Sequence, residues 1–237
     1  MELLAWSPPG WGARLVGGLG NTIMIALGAY ALGLGLGIMG AFGKLYGGPI
    51  TKDLLGIYTT LVRAVPELVL LLLITFAAKD AINAVLATWG FERIDFSGVA
   101  AGIIVLGVVQ GAYSTEVLRG AILSVPVGQI EAARAMGMSP VRIARRITLP
   151  LAMSAAVPGL ANLLLNVTKD TALLAVIGFI ELTKATSLAA ATTKQFLVFY
   201  LAAGVLYLLL SLVSGAIFGR IEKWARKGQR NMHGGAM

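Results

Sequence analysis

The chain has 237 residues, 57% of them hydrophobic and only 13% charged, with a net charge of +8 and no cysteine. A soluble domain has about a quarter of its residues charged, so this composition argues against one, and without Cys there is no disulfide scaffold, Fe–S site or Cys nucleophile. The positive charge does not point to nucleic acid. It falls between long apolar runs, where basic residues hold loops on the inner side of a membrane.

Several runs approach the ~20 residues that cross a bilayer, and none alternates as barrel strands do. The sequence predicts an all-α polytopic membrane protein, a single bundle with about five transmembrane helices. Residues 1–17 carry Trp6 and Trp11 around Pro8, Pro9 and Gly10, an interfacial anchor. They lack the basic n-region of a cleaved signal peptide. The first span is expected from Gly18 to Phe42. Its glycines include Gly28, Gly33, Gly35, Gly37 and Gly40, and a GxxxG pair lets helix backbones approach closely. A polar loop over Gly43–Leu55 leads to a second span over Gly56–Ala78. There Pro66 should bend the helix, while Arg63 and Glu67, at i and i+4, share a face and can pair.

A mixed-charge loop over Lys79–Asp95 precedes the third span, Phe96–Leu118, whose later half holds Gln110, Tyr113, Ser114, Thr115 and Glu116. The fourth span, from Leu151 to about Phe179, is the most polar. Asn162, Asn166 and Asp170 fall at i, i+4 and i+8 and form one stripe. Lys169 and Asp170 are neighbours, about 100° apart on a helix, and do not pair face to face. Residues 180–195 read as an external segment, Phe196–Phe218 as the fifth span, and 221–237 as a basic tail. The only histidine, His233, lies in that tail and builds no metal site.

Between spans three and four, residues 121–150 do not suit hydrocarbon. Arg134, Arg142, Arg145 and Arg146 stand there against one acid, Glu131, and an Arg at the bilayer centre costs several kcal/mol. Pro126 and Gly128 break the preceding helix, and Gln129–Met136 are good helix formers. Gly137 suits a C′ position. Ser139 and Pro140 read as N-cap and N1 of a second short helix that ends before Pro150. On physics alone, the first of these helices can lie in a partner's groove, or the loop can simply anchor to lipid headgroups.

With five spans the termini lie on opposite sides. One side collects Lys44, Lys52, Arg119, Arg134, Arg142, Arg145, Arg146, Arg220, Lys223, Arg226, Lys227 and Arg230; the other collects Arg14, Lys79, Arg93, Lys184 and Lys194. The positive-inside rule puts the first group in the cytoplasm, so the N-terminus is outside and the C-terminus inside. Charged residues within spans are pathway candidates by default. Together with the stripe, these candidates are Arg63, Glu67, Glu116, Asn162, Asn166, Lys169 and Asp170. The competing reading for the stripe is interhelical hydrogen bonding.

The run Glu131-Ala132-Ala133, then Gly137, then Ile147-Thr148-Leu149-Pro150 resembles the EAA motif of ABC importer permease subunits. The Arg63–Pro66 pair, Tyr113 and Glu116 before Arg119–Ile122, and Ser124–Gln129 resemble the polar amino-acid branch of that family. The likeness is closest to the histidine/lysine/arginine/ornithine and octopine/nopaline permease subunits, and Ala172, where much of the family has Ser, is a departure. The resemblance implies an ABC transmembrane type-1 domain over 18–220 in a bacterial inner membrane. It makes Gln129, Glu131, Ala132, Ala133 and Gly137 the ATPase-coupling residues. It implies as partners two copies of an ATPase subunit carrying ATP and Mg, a second permease subunit (a paralogue rather than a copy), a periplasmic substrate-binding protein, an amino-acid or opine substrate and membrane lipid. No cofactor is expected on this chain, which has no GxxxxGK[ST] phosphate loop. Two other readings stand beside it: an ion-coupled carrier using Lys169 and Asp170 without any ATPase, and a membrane scaffold in which the stripe tolerates Leu.

Overall fold

The computed structural model describes residues 2–7, 9–92 and 98–225. After a 3-10 turn at Glu2–Leu4, the helices are α1 (Gly12–Tyr46), α2 (Pro49–Ala64), α3 (Glu67–Thr88), α4 (Val99–Leu123), α5 (Val127–Ala135), α6 (Pro140–Ile143), α7 (Leu149–Asp170), α8 (Leu174–Ile177), α9 (Leu182–Thr193) and α10 (Phe196–Ala225). Five stretches are long and apolar enough to cross a membrane: Gly12–Tyr46, Glu67–Thr88, Val99–Leu123, Pro140–Ile177 and Phe196–Ala225. The all-α polytopic expectation holds. Arg93, Asp95 and the expected start of the third span at Phe96 lie outside the described residues, as do Arg226, Lys227, Arg230 and His233 in the tail.

The bundle is organised on the seam between α1 and α4, and small residues make it close. A Cβ added at Gly33 would stand 2.7 Å from the Gln110 Cβ, and one at Gly37 would strike Ser114. From the other side, a Cβ at Gly107 would lie 2.6 Å from a Leu32 methyl. Two helices can meet at this distance only where one of them has no side chain. Around the seam lies a core of Ile25, Ala26 and Ala29 from α1, Val105, Leu106 and Val109 from α4, and Leu164 and Val167 from α7. Of the five spans α4 is the most enclosed and α10 the least.

Three expectations are corrected. The second span is not one bent helix over Gly56–Ala78. It breaks at Val65–Pro66, where Pro66 has no N–H to donate and the residue before it is driven to extended geometry (φ −94°, ψ 140°). Arg63 and Glu67 therefore end one helix and begin the next, and do not share a face by i,i+4 spacing. Nor is Gly43–Leu55 a loop: α1 continues to Tyr46 and α2 starts at Pro49, with Pro at N1 and the Gly48 carbonyl taking the first helical bond from Lys52. Finally, the helix opened at Pro140 does not end before Pro150. A π turn over Ala144–Thr148 carries it into α7. That wider turn accommodates a proline whose ring would clash with the carbonyl four residues back.

The segment 180–195, expected to lie outside the bilayer, is helical in part. It contains α9, which packs on α1 and α10 and buries Leu182, Ala185, Thr186, Ala189 and Ala190.

Candidate coupling helix and translocation face

The α5 segment is set by local chemistry. Pro126 is its N-cap, and the helix stops in a paired C-terminal turn. Gly137 N donates to the Arg134 carbonyl at 2.9 Å and Met138 N to the Ala133 carbonyl at 3.1 Å. This closure needs a left-handed residue at C′, and Gly137 has φ +73°. Ala133 and Ile143 are buried where α5 meets α6. Glu131 and Ala132 are exposed and Gln129 is half-buried. Beside them Val127, Met136 and Val141 are bare, Met136 at 83% exposure. The five residues expected to couple thus share one short helix and its cap; Ala133 is turned inward, and the other four lie on a surface that also shows apolar side chains. Such a face suits a protein groove.

The pathway candidates separate into three places. At the break in the second span, Glu67 opens α3, and Tyr113 of α4 and Asp170 at the end of α7 lie close to it. Arg63 acts electrostatically on the Tyr113 hydroxyl, and Lys169 on Asp170. Three of the expected residues, Arg63, Glu67 and Asp170, therefore gather around one tyrosine, with Lys169 next to Asp170 in the chain. Asn162 and Asn166 lie further back along α7, exposed, while Leu160, Leu163, Leu164 and Val167 on its other side are buried. The polar stripe thus faces away from the chain's own core.

Glu116 goes elsewhere. Its Oε1 takes the Lys44 ammonium at 2.5 Å, and its Oε2 accepts from Arg119 Nη2 at 2.9 Å and Nε at 3.1 Å. Lys44 Nζ also donates to Thr59 Oγ1 at 2.6 Å. The cluster fastens α1, α2 and α4 together.

Sequence reasoning missed the role of the most buried acid. Glu181 is fully enclosed and caps α9, accepting from Thr183 N at 2.8 Å and Lys184 N at 2.7 Å. Tyr207 Oη donates to it at 2.9 Å and Thr22 Oγ1 at 3.4 Å. Thr22 Oγ1 in turn accepts from Leu182 N. Glu181, with Pro158, Asn162 and Lys169, resembles the polar amino-acid branch of the family, but its capping role had no local signal, since Glu is not among the residues that usually mark an N-cap.

Residues 33–227 match the family described as binding-protein-dependent transport system inner membrane component. The chain belongs to this family. As a member it is the membrane-spanning, non-catalytic permease subunit of an ABC importer, an inner-membrane protein that works with a separate ATPase and a substrate-binding protein. That membership sets aside the carrier and scaffold readings. The permease is 39% identical over 233 residues to the nopaline transport system permease protein NocQ of Agrobacterium fabrum, covering 98% of this chain and 99% of that protein. It is 39% identical over 202 residues to the histidine/lysine/arginine/ornithine transport system permease protein HisQ of Escherichia coli, covering 85% of this chain and 89% of that one. Among solved structures, an amino acid ABC transporter crystallised with histidines superposes with a TM-score of 0.76 at 27% identity, over 90% of this permease and 95% of that chain. The MetNI methionine transporter, inward-facing, shares the fold, with a TM-score of 0.70 at 20% identity over 95% and 99% of the two chains.

Proposed function

We propose that the permease imports polar, basic amino acids or related opines, moving them from periplasm to cytoplasm by alternating access. The relatives named for nopaline and for histidine, lysine, arginine and ornithine support that substrate class. The chain inserts with its N-terminus outside, so α5 and α6 lie in the cytoplasm, a reading supported by the charge asymmetry of the loops. Two ATPase copies act on the complex, and α5 seats in one of them through Gln129, Glu131, Ala132, Ala133 and the Gly137 turn. A second, different permease chain completes the route.

One observation carries the pathway: the exposed Asn162–Asn166 stripe that runs toward Glu67, Tyr113 and Asp170. Amides do not face lipid when another surface is available. The stripe therefore faces the second permease subunit and the route between them. The acids Glu67 and Asp170 suit a cationic substrate, with Arg63 and Lys169 as neighbours for its carboxylate. Glu116, held by two cations, braces the helices rather than touching substrate. In the reconstituted importer, Asn166→Leu and Asp170→Asn should lower uptake at least about ten-fold while the complex still assembles, the cost of one lost charged hydrogen bond. Unchanged uptake in an assembled complex would remove the stripe from the pathway.

A further inference from the structure

Just beyond α5, where α6 winds through the π turn into α7, the surface holds an open recess of about 590 Å³. Ser139, Val141, Arg142, Arg145 and Arg146 line it. All five are exposed, and the recess has no acid in its lining. Among the described residues, the salt bridges found place no carboxylate on these three arginines. Arg142 is three residues from Arg145 and four from Arg146, so the guanidinium groups crowd one side of a single turn. Like charges at that spacing oppose helix formation. A helix that keeps them together in a concave recess is suited to a counter-anion.

The register says where the anion comes from. Arg146 is three residues before Leu149, where α7 becomes apolar, with Leu149 and Met153 exposed on its surface. At 1.5 Å per residue this places Arg146 within about 5 Å, and Arg142 within about 11 Å, of the start of the hydrocarbon-compatible helix, around the depth of lipid phosphates. Guanidinium groups bind phosphate in a forked, bidentate way, and a serine hydroxyl at the rim can add a donor.

We propose that Arg142, Arg145 and Arg146 form a phosphate site filled by the headgroup of an anionic lipid. Such a site fixes the start of α7 at the membrane surface, so that motion of α5 passes to α7 instead of dissipating in the connection. The site itself does not depend on the substrate or pathway reading. Only its assignment to the inner leaflet rests on the proposed topology, which cysteine labelling tests separately.

The experiment takes the full chain in nanodiscs of mixed phosphatidylcholine and phosphatidylglycerol, with native mass spectrometry of the lipids retained on release. Wild-type chain should keep phosphatidylglycerol in preference to phosphatidylcholine. Each Arg→Gln change should lower that preference about five-fold, as expected for one basic residue at a membrane surface, and R142Q/R145Q/R146Q should abolish it. Because these side chains are exposed, the triple variant should keep the wild-type size-exclusion profile, and R142K/R145K/R146K should keep part of the preference. Phosphatidylglycerol retained equally by the triple Gln variant would overturn the proposal. So would inorganic phosphate displacing it at millimolar concentration, which would make the ligand free phosphate. Loss of ATPase co-purification in the triple variant with lipid retention unchanged would also overturn it, because the arginines would then be a protein contact.

Discussion

Two short helices that span nothing, α5 and α9, join neighbouring spans, and they are held in opposite ways. α5 is fixed by its own backbone: a proline at the start, a left-handed glycine at the end and two closing hydrogen bonds within six residues. Most of its surface is bare. α9 is capped by Glu181, whose buried carboxylate also reaches Thr22 of α1 and Tyr207 of α10, and five of its twelve residues are buried. One is built to be held by something outside the chain, the other by the chain itself. Under the proposed mechanism this divides the work: α9 is part of the bundle, and α5 is its handle.

The difference can be broken at its strongest point first. Glu181→Ala removes the acceptor for four donors, and each buried donor left stranded costs about 1–3 kcal/mol. A loss on the order of 3–5 kcal/mol is expected after relaxation. It would appear as a large drop in Tm for the chain in micelles, with Glu181→Gln milder. An unchanged Tm for the Ala variant would mean that α9 is held by packing alone.

Next in size is the seam. Gly37→Val drives a branched side chain into Ser114 and the α4 backbone, and overpacking of this kind costs about 1–3 kcal/mol. Gly35→Val, on the same helix with nothing within 4 Å of its added Cβ, is the control and should leave thermal stability as it is. Equal effects at both positions would show that the cost is backbone freedom rather than close approach.

How much of this could be read in the sequence follows the same division. The breaks around α5 were legible because Pro126, Gly137 and Pro140 act on their own backbone, with Ser139 at the N-cap position but without a side-chain capping bond. The five spans were legible because hydrocarbon selects for length and apolarity. The glycines of the first span announced a close partner, though not that α4 would be it. Pro66 was visible, but whether a proline bends a helix or ends it depends on what its neighbours pack against. Here it ends the helix and lets Arg63 and Glu67 come from different elements. The role of Glu181 was illegible: besides Thr183 and Lys184 next to it, its partners lie 159 and 26 residues away. The meeting of Glu67, Tyr113 and Asp170 is of the same kind, assembled from three helices. Glu116 is a pathway candidate as a charge within a span; its pairing with Lys44, 72 residues distant, was not legible.

The proposed contact through which the ATPase moves the bundle is α5. The direct measurement is co-purification with the partner ATPase and substrate-stimulated ATP turnover in proteoliposomes, for wild type and for Glu131→Lys and Gly137→Val. Glu131 is exposed and Gly137 costs only about 1–2 kcal/mol at its positive φ, so both variants should insert and fold. They should also lose ATPase association and stimulated turnover by more than about ten-fold, the effect of a buried interfacial contact worth ~1.4 kcal/mol or more. Either variant transporting at the wild-type rate, with the ATPase still bound, would contradict α5 as the coupling element.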